Sequence, residues 1–265
     1  MPVNSNILFA FFLTAIAGLS TGIGSGIALL AKKTNKNFLS LSLGFSAGIM
    51  IYVSFMEMMP AALSGLSETF GEKWGTLYLI SAFFGGIFLI NVIDFAIPKQ
   101  VNPHEAHGVE EMQSEASLKR TGMMVALSIG IHNFPEGVAT FTSALTSLDV
   151  AIPITVAIAI HNIPEGIAVA VPIYHASGSR KKAFWYSFLS GMSEPLGALL
   201  AFLFLFRFWT PMLNGVILAI VSGIMVFISL DELLPAAGKY GKHHLSIAGV
   251  VAGMLLMALS LFLFA

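Results

Sequence analysis

The residues best placed for chemistry sit in two matching motifs, HNFPEG at 132–137 and HNIPEG at 161–166. In each, a histidine precedes a glutamate by four residues: His132 with Glu136, and His161 with Glu165. On a helix that spacing stacks the two side chains on one face. Two such helices facing each other offer two imidazoles and two carboxylates, and Glu194 supplies a third carboxylate. Imidazole with carboxylate is a ligand set for Zn2+, Fe2+, Mn2+ and Co2+. A single histidine in an apolar helix is ordinarily a packed core residue. The doubling, each time with a glutamate one turn on, turns the reading toward metal ligands. Pro135 and Pro164 lack an N–H and crowd the carbonyls of Ile131 and Ile160, so they are expected to bend their helices and release those oxygens. Gly137 and Gly166 permit close helix approach. Asn133 and Asn162 bring amide oxygens beside the histidines, as ligands or as interhelical hydrogen-bond partners. Met50 is a soft thioether ligand or packing, and Met225 reads as packing.

The elements that must position these groups are membrane helices. Of 265 residues, 56% are hydrophobic and 10% charged, with a mean hydropathy of +0.85. Soluble domains carry about 25% charged residues. This composition excludes an ordinary soluble enzyme, a nucleic-acid binder and a disordered scaffold. The chain has no cysteine, hence no thiolate metal site, and a net charge of -1. Its solvent is the lipid bilayer. Apolar runs near 7–31, 38–63, 74–97, 121–146, 151–174, 183–206, 211–234 and 244–265 are each long enough to cross about 30 Å of hydrocarbon. The expected fold is an all-α polytopic membrane protein of eight transmembrane helices, with residues 1–265 forming one domain. The first run lacks a basic leader and is too long for a cleaved signal.

Basic residues set the orientation. Lys32, Lys33, Lys36, Lys99, Lys119, Arg120, Arg180, Lys181, Lys182, Lys239 and Lys242 fall in the odd-to-even connections, against Lys73 and Arg207 on the other side. Those connections are expected to be cytoplasmic and both termini outside. The longest connection, about 98–120, holds His104, Glu105, His107, Glu110, Glu111 and Glu115. It reads as a solvated linker, or as a weak metal-receiving loop. His175, His243 and His244 fall at span ends and read as solvated.

The sequence also repeats itself. GIMIYVSFMEMMPAA (Gly48 to Ala62) aligns with GIMVFISLDELLPAA (Gly223 to Ala237), and HNFPEG aligns with HNIPEG. The runs in each pair cross in opposite directions, which fits an inverted repeat of spans 1–3 on 6–8, with 4 and 5 exchanged (3+2+3). Such repeats are a mark of secondary transporters. Seven acids fall within spans: Glu57, Asp94, Glu136, Glu165, Glu194, Asp231 and Glu232. No Lys or Arg lies deep in any span, and a buried charge costs at least about 2.5–3.5 kcal/mol. Bound cations, protons or water must compensate. His132, Glu136, His161, Glu165, Glu194 and Met50 fall near mid-depth, Glu57 nearer the outer face, and Asp94, Asp231 and Glu232 nearer the inner face. Three midplane carboxylates against one dication leave a charge that a shared proton would balance.

These motifs resemble the ZIP family (Zrt-, Irt-like proteins) of divalent metal transporters, closest to its bacterial ZupT-type branch. The likeness rests on HNFPEG and HNIPEG, with SAGIM and MEMMPAA in span two, SGMSEP in span six and SLDELLPAA in span seven. It covers essentially the whole chain. The resemblance implies a two-metal centre whose primary ligands are Met50, His132, Glu136, His161 and Glu165. The second position would take Asn133, Asn162 and Glu194, with Glu136 and Glu165 bridging. Some members of the family carry Gln and Asp where this chain has His161 and Asn162. The resemblance further implies a homodimer in the cell membrane and alternating access of the elevator kind. The cargo would be zinc first, with iron, manganese, cobalt and cadmium (Cd2+) also taken into the cytoplasm. Two rivals come from other classes. Clustered Glu and His on facing helices also build intramembrane di-metal enzymes, but no HExxH occurs and the acids spread toward both faces. A haem held by His132 and His161 leaves the glutamates unexplained. The expected function is a transporter and not an enzyme.

Overall fold

The computed structural model describes residues 3–30, 36–96, 115–240 and 243–264. Among them there is no strand. The helices are α1 (Val3–Leu30), α2 (Lys36–Val53), α3 (Met59–Ala96), α4 (Glu115–Thr146), α5 (Leu148–Ser177), α6 (Arg180–Gly191), α7 (Ser193–Leu200), α8 (Pro211–Ile228), α9 (Leu234–Tyr240) and α10 (His243–Phe264). Their ends carry the expected signals. Ser179 accepts from the Lys182 N–H at the start of α6, and Thr210 accepts from the Leu213 N–H just before Pro211. Gly178, at φ 62°, closes α5. Six stretches among the described residues are long and apolar enough to cross a membrane.

Two boundaries differ from the sequence expectation. Helix α4 begins at Glu115, so residues 115–120 belong to a helix and not to the connection expected over 98–120. His104, Glu105, His107, Glu110 and Glu111 lie outside the described residues. The second difference concerns the gap expected between 63 and 74. There the helix runs on and reverses at a single residue, Gly71 (φ 74°, ψ 163°), a backbone conformation that glycine enters without a Cβ clash. The reversal shows in its neighbours: the rings of Phe70 and Tyr78 lie 4.5 Å apart, and a Cβ on Gly75 would stand 2.9 Å from the Cα of Ser67. Eight residues of straight helix would hold Phe70 and Tyr78 about 12 Å apart.

Between α2 and α3, residues 54–58 form one wide turn in which the Met59 N–H bonds to the Ser54 carbonyl. Residues 229–233 do the same between α8 and α9, with the Leu234 N–H on Ser229. Pro60 and Pro235 follow. A proline ring cannot sit against the carbonyl four residues back, and the extra residue in the turn relieves that conflict.

The helices sort by contact into two groups. Helices α1, α4, α5, α6 and α7 pack mainly on one another, and so do α2, α3, α8 and α10, with α9 laid on α2. The groups meet chiefly where α2 lies on α5 and α8 on α4. At that seam Leu43, Met50, Val53, Ile154, Ile158, Leu218 and Met225 are buried in one apolar cluster.

Glycines set the closest contacts, and these come in matched pairs. A Cβ on Gly48 would run into the carbonyl of Val250, and one on Gly253 into that of Phe45, between α2 and α10. A Cβ on Gly223 would run into the carbonyl of Phe83, and one on Gly86 into that of Ile220, between α8 and α3. The register that aligns the two GIM motifs sets Gly48 on Gly223 and Phe45 on Ile220. In the other helix group, Gly166 abuts the Thr21 carbonyl as Gly137 abuts that of Glu194, and Gly24 abuts Ile163 as Gly197 abuts Phe134. Gly18 and Gly191 each meet the other's carbonyl.

Gly48→Leu or Gly223→Leu forces these backbones apart and should cost about 1–3 kcal/mol of overpacking. Thermal unfolding in detergent should show a lowered midpoint for either variant. Gly85→Ala, where an added Cβ meets open space, should match the native protein. Equal midpoints for Gly48→Leu and native protein would refute the contact.

Candidate metal centre

The first motif lies within α4 and the second within α5, both in unbroken helix that continues through Pro135 and Pro164. The two helices pack directly on each other. Glu136 is 0% exposed, His161 0% and Glu165 1%. The His161 Nε2 stands 3.3 Å from each carboxylate oxygen of Glu136 and 3.9 Å from Oε1 of Glu165, one turn along its own helix. The second-motif imidazole therefore sits between a carboxylate of each helix, in the arrangement that the i, i+4 spacing predicts. His132 is one helical turn before Glu136 on α4, and its side chain lies outside the described residues.

Glu194 comes from α7. Helix α6 ends at Gly191, Met192 breaks the run, and α7 restarts at Ser193, which places Glu194 in a first turn. A carboxylate is favoured there by the helix dipole. Its Oε1 accepts a short hydrogen bond from the Asn162 Nδ2, which also donates to the Ala17 carbonyl on α1 at 3.0 Å. Asn133 makes the matching contact from α4: its Nδ2 donates to the Ser190 carbonyl on α6 at 3.4 Å. The amide nitrogens tie helices together. Asn133 Oδ1, Asn162 Oδ1 and Glu194 Oε2 remain buried with no hydrogen-bond partner in the protein. Buried acceptors without partners are uncommon in folded proteins.

Met50 is fully buried on α2. One turn before it, the Ser46 hydroxyl donates to the His161 carbonyl at 3.4 Å and to Glu165 Oε1 at 3.5 Å. Ser46 ties the α2 group to the α5 carboxylate, and sequence reasoning missed it. Its signal was its place in SAGIM, a turn ahead of Met50. Sequence reasoning also missed a third repeat. GLSTGIG (Gly18 to Gly24) aligns with GMSEPLG (Gly191 to Gly197), which sets Thr21 on Glu194. Thr21 is fully buried, and its hydroxyl has no hydrogen-bond partner.

The remaining intramembrane acids do not join this centre. Glu57 and Glu232 are half-buried and Asp231 is exposed, on the wide turns after α2 and α8. The side chain of Asp94 lies outside the described residues. His243 and His244 are exposed, as expected. Among the described residues no group of three or more His, Asp or Glu is gathered closely enough to hold a metal ion.

Apolar helices around a buried cluster of carboxylate, imidazole and amide define a multi-pass membrane protein with a polar cluster among its helices. A family model described as ZIP zinc transporter matches residues 98–261. The zinc transporter ZupT of Streptococcus mutans serotype c is 59% identical over 263 residues, covering 99% of this chain and 100% of that one. Its namesake from Clostridium perfringens is 55% identical, covering 98% and 97%. The one from Corynebacterium aurimucosum is 53% identical, covering 98% of each. The chain belongs to the ZIP zinc transporter family, which is a family of transporters and not of enzymes.

Asn162→Leu keeps the volume and removes both amide bonds, stranding the Glu194 carboxylate against apolar surface. The loss should be about 1–3 kcal/mol, read as a lower unfolding midpoint. A midpoint equal to that of native protein would show that the amide holds nothing.

Proposed function

We propose that this chain carries Zn2+ across the cell membrane into the cytoplasm through the His/Glu centre between α4 and α5. The observation that carries the reading is the set of buried oxygens left over at that centre, Asn133 Oδ1, Asn162 Oδ1 and Glu194 Oε2. They stand beside carboxylates whose burial a dication would offset. The relatives named as zinc transporters make zinc the first cargo. A set of nitrogen and oxygen donors without thiolate also admits Fe2+, Mn2+, Co2+ and Cd2+.

Met50, His132, Glu136, His161 and Glu165 would hold one ion. Asn133, Asn162 and Glu194 would hold a second, with Glu136 and Glu165 shared. The chain would cross eight times as one domain over 1–265, with both termini outside. The paired glycine contacts support an inverted repeat of 3+2+3 spans. The two helix groups support alternating access, one group bearing the glutamates and sliding past the group that bears Met50. The protein would work as a homodimer.

Uptake of radioactive zinc into proteoliposomes should fall to the protein-free background in a His132→Ala, Glu136→Ala double variant. Excess Co2+ or Cd2+ should compete in the native protein. Undiminished uptake by the double variant would remove this centre from the transport path.

A further inference from the structure

Buried serines and threonines in this protein ordinarily bond their own helix. Thr14, Thr142, Thr155, Ser222 and Ser229 each donate to a carbonyl three or four residues back, at 2.7–3.2 Å. That habit satisfies a hydroxyl in an apolar surrounding. Thr140 and Ser143 on α4 depart from it. Both are 0% exposed, and neither hydroxyl has a hydrogen-bond partner. They follow Glu136 by four and seven residues, which puts them within about 40° and 20° of its direction on the helix. With Asn133, whose Oδ1 also lacks a partner, they extend one polar line along α4. It runs about 10 Å past Glu136 toward the end of the helix at Thr146.

The line is one-sided. In the register that aligns HNFPEG with HNIPEG, the positions of Thr140 and Ser143 fall on Val169 and Pro172 of α5. On α5 itself, the face that carries His161 continues toward the same end of the bundle through Ile158 and Ile154, both fully buried. Of the two motif helices, only α4 carries unpartnered hydroxyls beyond the centre among the described residues, toward the face where α4 ends. The basic residues put that face outside.

We propose that Thr140 and Ser143 form the outer approach to the metal centre, as neutral oxygen rungs that exchange with the water of a partly hydrated dication on its way to Glu136. Neutral hydroxyls suit such a step. They replace part of a hydration shell without the charge that would trap the ion, and a path must bind weakly enough to release. Because both are buried here, the approach is closed in this conformation and has to open when the helix groups move. The inference rests on the transport reading above, and the experiment separates the two.

Zinc uptake into proteoliposomes is compared for native protein, Thr140→Val with Ser143→Ala, Thr140→Ser with Ser143→Thr, and His132→Ala with Glu136→Ala. The first variant keeps volume and removes both hydroxyls. Its zinc concentration for half-maximal uptake should rise roughly three- to tenfold. The visible spectrum and affinity of Co2+ bound to the purified variant should equal those of native protein. The hydroxyl-retaining swap should take up zinc as native protein does. Native uptake in the first variant, equal impairment in the swap, or an altered Co2+ spectrum would each overturn the approach while leaving the centre standing. Undiminished uptake in the His132→Ala, Glu136→Ala variant would overturn the transport reading itself.

Discussion

Three carboxylates held away from water, in a medium that solvates ions badly, are the constraint on which the rest of the molecule turns. Glu136, Glu165 and Glu194 come from three helices and are almost wholly buried. Among the described residues their neighbours are one imidazole, one amide and one serine hydroxyl. Each asparagine spends its nitrogen on a carbonyl of another helix, while its oxygen is buried without a protein partner.

Placing those groups to within an ångström requires helices that do not drift, and in lipid no hydrophobic effect drives one helix onto another. Backbone contact at glycine supplies the precision. Gly137 and Gly166, inside the two motifs, abut α7 and α1 directly. Residues inside the two motifs thus set the helix spacing. The outer pairs, α2 on α10 and α3 on α8, use the same device. The seam between the groups is mainly side chains such as Met50, Ile158 and Met225.

Much of this was legible in the residues. The spacing in HNIPEG puts His161 and Glu165 on one face of α5, 3.9 Å apart, while the contact of His161 with Glu136 needed the packing of α4 on α5. The doubled GIM motif anticipated that α2 and α8 would make equivalent contacts. What escaped were features with little local signal. Ser46 looks like any small residue in a membrane helix until α5 is laid against it. Thr21 and Glu194 differ so much in chemistry that the likeness of their neighbourhoods hides behind them. The turn at Gly71 replaces an expected ten-residue gap because one glycine supplies the backbone angle that the gap was assumed to need. The start of α4 escaped because residues 115–120 are charged and polar, which hydropathy cannot separate from a loop. Pro135 and Pro164 lie within continuous helix, while two of the wide turns come just before Pro60 and Pro235.

The pairing of Thr21 with Glu194 has an energetic corollary. Were both halves of the chain chemically identical, swapping their conformations would return the same molecule upside down, and neither access state would outweigh the other. A carboxylate on one side of the pseudo-axis, with an alcohol opposite, breaks that degeneracy.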